Sequence, residues 1–134
     1  NGDLKGKTFT LWGLAFKPHT DDIREAPALT IIDELVKAGA KVKAYDPEAA
    51  DNVRAIYKDN KSVEILDDKY DVLKDSEALI VATEWPEFIE SDLTQIKALL
   101  QKPVVFDGRN IWHNPQMKKA GFSYYSVGRR PVVQ

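Results

Sequence analysis

Cysteine is absent from the 134 residues, which excludes disulfides, thiolate metal sites and a cysteine nucleophile. A field of one charge is missing as well. Nineteen basic residues against twenty-one acidic ones leave a formal net charge of −2, so the chain offers no broad basic surface to nucleic acid or an anionic membrane. Any anion has to be held locally, by a few placed cations. No apolar run is long enough to cross a bilayer and no secretory signal pattern is present; the expected compartment is the cytoplasm. Histidine is scarce, and His19 and His113 lie too far apart, with no cysteine near, to suggest a metal site. Internal repeats, low-complexity segments and interdomain linkers are also missing, and the length favours one domain spanning residues 1–134. The chain opens at Asn1 without a methionine and reads as a piece excised from something longer.

What is present is an alternation of strand and helix signals. Thr8 to Trp12 is rich in β-formers. Pro27 to Ala38 carries Ala28, Ile32, Leu35 and Val36 at helical spacing, and Gly39 suits its end. Lys41 to Tyr45 alternates polar and apolar residues, and Asp46-Pro47 reads as a cap and first helical residue for a helix facing inward with Val53, Ile56 and Tyr57. Val63 to Leu66 predicts a short peripheral strand, and Lys69 to Lys74 a short helix. Ala78 to Ala82 is uninterrupted and apolar, as a strand covered on both faces should be. Glu84-Trp85-Pro86 ends it, and Ser91 is placed to cap a helix with Leu93, Ile96 and Leu100 inside. Pro103 to Phe106 predicts a central strand, Asn114-Pro115 to Gly121 a short helix, Phe122 to Tyr125 an edge strand, and Gly128 to Gln134 a loose tail. The pattern predicts an α/β fold: a three-layer, Rossmann-like parallel sheet with helices on both faces.

The densest chemistry sits in the loop Gly13 to Arg24, which holds Lys17, Asp21, Asp22 and Arg24. Two further loops, Thr83 to Pro86 and Asp107 to Asn110, also leave the carboxyl ends of apolar strands. In such sheets those ends lie along one edge, where ligands bind. Lys17, Arg24 and Arg109 could then meet at one crevice, and a diphosphate suits them, since arginine grips phosphate with two donors and lysine acts as a point charge. Ahead on spacing alone is that the cations only neutralise Asp21, Asp22 and Asp107. A self-sufficient dinucleotide site is disfavoured. The first turn should read Gly-x-Gly-x-x-Gly, but Gly13 is its single glycine and Phe16 is bulky. Asp46 has the position of a ribose-binding acid, although a helix cap is the better reading. Trp85, Phe88 and Trp112 are near enough to the loops for a base or sugar to stack on one, with core packing the more ordinary role.

Gly13-Leu14-Ala15-Phe16-Lys17-Pro18-His19-Thr20-Asp21-Asp22-Ile23-Arg24-Glu25-Ala26-Pro27 resembles the signature that opens the C-terminal domain of the UDP-glucose/GDP-mannose dehydrogenases. Tyr45-Asp46-Pro47, Thr83-Glu84-Trp85 with Phe88, and Phe106-Asp107-Gly108-Arg109-Asn110 resemble later motifs of that family, in the same order. The resemblance implies enzymes that oxidise a nucleotide sugar twice, from alcohol to carboxylate, with two NAD. It implies an N-terminal domain that binds NAD, a central region with the catalytic cysteine and the homodimer contact, and this C-terminal domain closing over the substrate's nucleotide. Phe16, Lys17 and Arg109 would then bind the UDP-sugar and Arg24 would reach NAD, with Asp21, Asp22 and Glu84 supporting. UDP-glucose is the first expectation for the substrate; UDP-N-acetylmannosamine, GDP-mannose and a stand-alone, non-catalytic nucleotide-binding module are the alternatives. Without a cysteine, this chain alone has no nucleophile for the oxidation and is expected to be inactive by itself.

Overall fold

Thr8–Trp12 forms β1 in the computed structural model, which describes residues 4–15, 27–126 and 130–133. Successive side chains of a strand point to opposite faces, so Leu11 enters one hydrophobic layer and Trp12 the other, both fully buried. Along the chain follow α1 (Pro27–Lys37), β2 (Lys41–Tyr45), α2 (Ala50–Ile56), β3 (Val63–Ile65), a 3-10 turn (Asp71–Leu73), β4 (Ala78–Val81), α3 (Pro86–Ile89), α4 (Leu93–Leu99), β5 (Val104–Asp107), α5 (Asn114–Ala120) and β6 (Ser123–Ser126). The strands make one sheet in the order β3-β2-β1-β4-β5-β6, with every neighbouring pair parallel. The expected α/β class is therefore observed. The chain winds outward from β1 to β3, then returns to place β4 on the other side of β1. The reversal makes a crevice between the loops that leave β1 and β4.

Helices line both faces. Ala28 and Ile32 of α1 and Val53 of α2 pack on Leu11, Val42 and Ala44. On the other face Phe88, Ile96 and Met117 pack on Trp12, Leu79, Val105 and Tyr124, and Trp12 stacks on Phe88 with ring centroids 4.8 Å apart. Trp85, Phe88 and Trp112 are thus core residues, at most 6% exposed, and offer no face to a ligand. The α1 side is covered less completely over β5 and β6. There Phe106 is 42% exposed and stacks on Tyr125.

Local chemistry moves several expected boundaries. The segment after Asp46 makes a turn before α2 begins at Ala50. The Asp46 carboxylate caps that turn, accepting from the backbone N–H of Glu48 and Ala49 at 2.8 and 2.7 Å. Pro86 ends the run after β4 but also opens α3, because a missing N–H costs nothing at a helix start. The cap of α4 is Asp92, whose Oδ1 accepts from Thr94 and Gln95; Ser91 instead donates its hydroxyl to the carbonyl of Glu87. The C-terminal segment is also not wholly loose, since Val132 and Tyr124 exchange backbone hydrogen bonds of 2.8 and 2.9 Å. Outermost in the sheet, β6 has unpaired backbone groups that recruit it.

Gly13 ends β1 with φ +97°, and a Cβ there would lie 2.6 Å from the Thr83 side chain and 2.7 Å from the Thr83 backbone nitrogen. Gly13→Ala is expected to cost about 2–4 kcal/mol through backbone strain and overpacking together. Urea denaturation measures this directly, and an unchanged midpoint would show that the two loops can part freely.

Candidate functional site: the carboxyl edge of the sheet

Three loops meet where the chain reverses direction. Beyond the close approach of Gly13 to Thr83, the Thr83 hydroxyl donates to the carbonyl of Ala15 at 2.9 Å. The backbone N–H of Gly108 donates to the carbonyl of Val81 at 2.9 Å. Arg109 donates from Nη2 to Glu84 Oε2, also at 2.9 Å. The convergence expected from the sequence is therefore present for the described part of each loop. Phe16, Lys17, His19, Asp21, Asp22 and Arg24 lie outside the described residues.

Two buried aspartates hold the edge together. Asp46, 2% exposed, accepts five N–H donors. Its Oδ1 takes Glu48 and Ala49, and its Oδ2 takes Leu14 at 2.7 Å, Ala15 at 3.2 Å and the indole Nε1 of Trp85 at 3.3 Å. No lone pair is left for a ribose, so the capping role prevails. It extends further than expected, because the same carboxylate fixes the start of the β1 loop. Asp107, also 2% exposed, does the same after β5. Its Oδ1 accepts from the Arg109 backbone N–H at 2.9 Å. Its Oδ2 accepts from Ile111 at 2.7 Å, from Trp112 at 3.3 Å and from the Tyr124 hydroxyl. These donors spread the charge of Asp107, leaving the Arg109 guanidinium to pair with Glu84.

The Arg109–Glu84 pair is partly open, with 33% and 38% of the two side chains exposed. Burial alone would push the Glu84 carboxyl up, but the Arg109 guanidinium, together with the hydrogen bond from Glu84's own backbone N–H, outweighs it and holds the group below the usual carboxylate range. The pairing therefore adds stability at neutral pH and loses it as the pH falls through the depressed Glu84 value. Beside the pair lies a cleft of about 370 Å³, walled by Pro27 and Ile31 of α1, Ala82, Phe106, Gly108 and Arg109. That volume suits a small ligand. A guanidinium retains further N–H donors after one contact, so Arg109 can bind an anion in the cleft without leaving Glu84. Among the described residues there is no cluster of three or more histidine or carboxylate side chains able to hold a metal ion, and no helix is long and apolar enough to cross a membrane.

Residues 10–114 match the UDP binding domain of the UDP-glucose/GDP-mannose dehydrogenase family. The chain belongs to this family. It is 46% identical over 131 residues to the UDP-glucose 6-dehydrogenase TuaD of Bacillus subtilis, covering 98% of this chain and 28% of that protein. Among solved structures, a UDP-glucose dehydrogenase from Pyrobaculum islandicum superposes with a TM-score of 0.76 at 32% identity, over 96% of this chain and 27% of that one. An NDP-N-acetyl-D-galactosaminuronic acid dehydrogenase from Methanosarcina mazei does so with a TM-score of 0.80 at 27% identity, over 96% and 26%. The chain thus spans little more than a quarter of the length of these relatives. The oxidoreductase family expected from the motifs is the family found.

Two features of this family member went unread in its sequence. Asp46 and Asp107 act as loop anchors, and the available signal was their similar setting: an aspartate just after a strand (Asp46) or at its last position (Asp107), followed by a turn-forming Pro47 or Gly108. Glu84 as the partner of Arg109 had no local signal, since 25 residues separate them. Asp46→Asn is expected to lower stability by about 2–4 kcal/mol, because one acceptor oxygen and the charge are lost while the buried donors remain. Thermal or urea unfolding tests this. Retained stability would mean that water or a neighbour can replace the carboxylate.

Proposed function

We propose that this chain is the C-terminal unit of a longer NAD-dependent UDP-glucose 6-dehydrogenase, where it holds the UDP portion of the substrate. The observation that carries the reading is Arg109, presented with spare donors at a small-ligand cleft on the carboxyl edge of the sheet. Family membership and the identity to a UDP-glucose 6-dehydrogenase support it. In this reading Arg109 binds the diphosphate, Phe16 and Lys17 lie against the same ligand, and Arg24 faces NAD. NAD itself is held mainly by an N-terminal domain, and a central region supplies the cysteine and the homodimer contact. A cysteine-free composition fits a reducing, cytoplasmic setting. With no thiol to form the covalent intermediate, the 134-residue chain alone binds nucleotide without turning it over.

Calorimetric titration of the chain with UDP, GDP, UDP-glucose and NAD tests the ligand class. Uptake of UDP and UDP-glucose ahead of GDP and NAD is expected; preference for GDP would move the assignment to a GDP-mannose dehydrogenase, and preference for NAD would reject it. In the intact enzyme, Arg109→Ala is expected to weaken substrate binding by about 1–3 kcal/mol, as loss of a charge-assisted contact does, with a smaller effect on NAD. Arg24→Ala should show the reverse bias, and equal effects of both changes on both ligands would contradict this division of roles.

A further inference from the structure

We infer that Glu84 is the positioning residue for Arg109: it holds the guanidinium over the cleft in advance of the ligand, and so sets how tightly a nucleoside diphosphate binds. This inference rests on the role proposed for Arg109 in substrate binding. The geometry favours it on three counts. Glu84 sits in the loop leaving β4 and Arg109 in the loop leaving β5, so their 2.9 Å contact ties adjacent loops beside the cleft that Arg109 lines. The backbone of Arg109 is already fixed by Asp107, which leaves the long side chain as the remaining freedom to be lost on binding. Glu84 removes that freedom beforehand. Among the described residues, Glu84 Oε1 is enclosed and has no hydrogen-bond partner, so the carboxylate meets Arg109 through Oε2 alone; its other hydrogen bond is from its own backbone N–H, which holds the carboxylate in place and ties it to no other part of the fold.

The opposing effect is repulsion, since a carboxylate beside the cleft disfavours an incoming diphosphate. The two effects separate by substitution. Glu84→Gln keeps a carbonyl oxygen able to accept from Arg109 and removes the charge, whereas Glu84→Ala removes both. UDP binding would be measured by calorimetry on the full-length polypeptide that contains this chain, with thermal unfolding as a check on the fold. Glu84→Ala is expected to weaken UDP binding roughly three- to tenfold, within the range for orienting one charge-assisted contact at a half-exposed site. Glu84→Gln should bind at least as tightly as the parent. In an Arg109→Ala background, Glu84→Ala should change nothing further, an outcome that a general loss of structure would not give.

Unchanged or tighter binding by Glu84→Ala would overturn the inference and make Glu84 a purely repulsive neighbour. So would an undiminished loss in the Arg109→Ala background. If Arg109→Ala itself leaves UDP affinity unaltered, the role proposed for Arg109 fails, and the positioning of Arg109 fails with it. If Arg109→Ala weakens binding while Glu84→Ala does not, only the inference about Glu84 fails.

Discussion

The carboxylates of Asp46 and Asp107 are the constraint on which the site depends. A parallel sheet brings several loops to one edge, but a loop carries backbone N–H groups that find no partner in the strands. Buried without partners, each would cost about 1–3 kcal/mol. One aspartate at the end of β2 and another at the end of β5 collect these donors, together with one indole N–H and one phenol. The result is a pair of rigid corners. Gly13 comes against Thr83 beside one corner, and Arg109 extends from the other. A cation supported in this way needs little rearrangement to meet an anion, which is the condition for tight binding by few contacts.

Charge is distributed along the same edge to the same end. The cleft beside Arg109 has an apolar floor that includes Ile80 and Phe106. A smaller hollow of about 190 Å³ near the end of β2 is lined by Asp46, Asp51 and Asp67 and disfavours phosphate. The partly open face of Phe106 and Tyr125 is itself part of the cleft wall, so a flat apolar group has a surface beside the cation. A chain of net charge −2 has no general attraction for anions; under the proposed function, selectivity rests on placed cations, of which Arg109 stands at the cleft among the described residues.

Much of the fold was legible in the residues themselves. β1 and β2 fall where β-rich and alternating runs place them, and the run around Leu79 and Ile80 predicted an interior strand. Four-residue α3 was not legible, because one turn carries no periodicity and Pro86 signals a stop as readily as a start. At the ends of β2 and β5, Asp46 was legible as a cap and Asp107 as an acid beside Arg109, but neither as a hub. Their donors include Trp85 and Tyr124, 39 and 17 residues away, and such pairings follow from strand order, which local sequence does not specify. For the same reason Arg109 could be suspected as a ligand-binding cation while Glu84, its partner across the loops, could not be paired with it.

The most direct measurement is amide chemical-shift mapping by NMR as UDP is added to the chain. The account predicts that the largest changes cluster at Gly13, Glu84, Gly108 and Arg109, along the carboxyl edge of β1, β4 and β5. Changes centred on Asp51 and Asp67, or none at millimolar UDP, would contradict it.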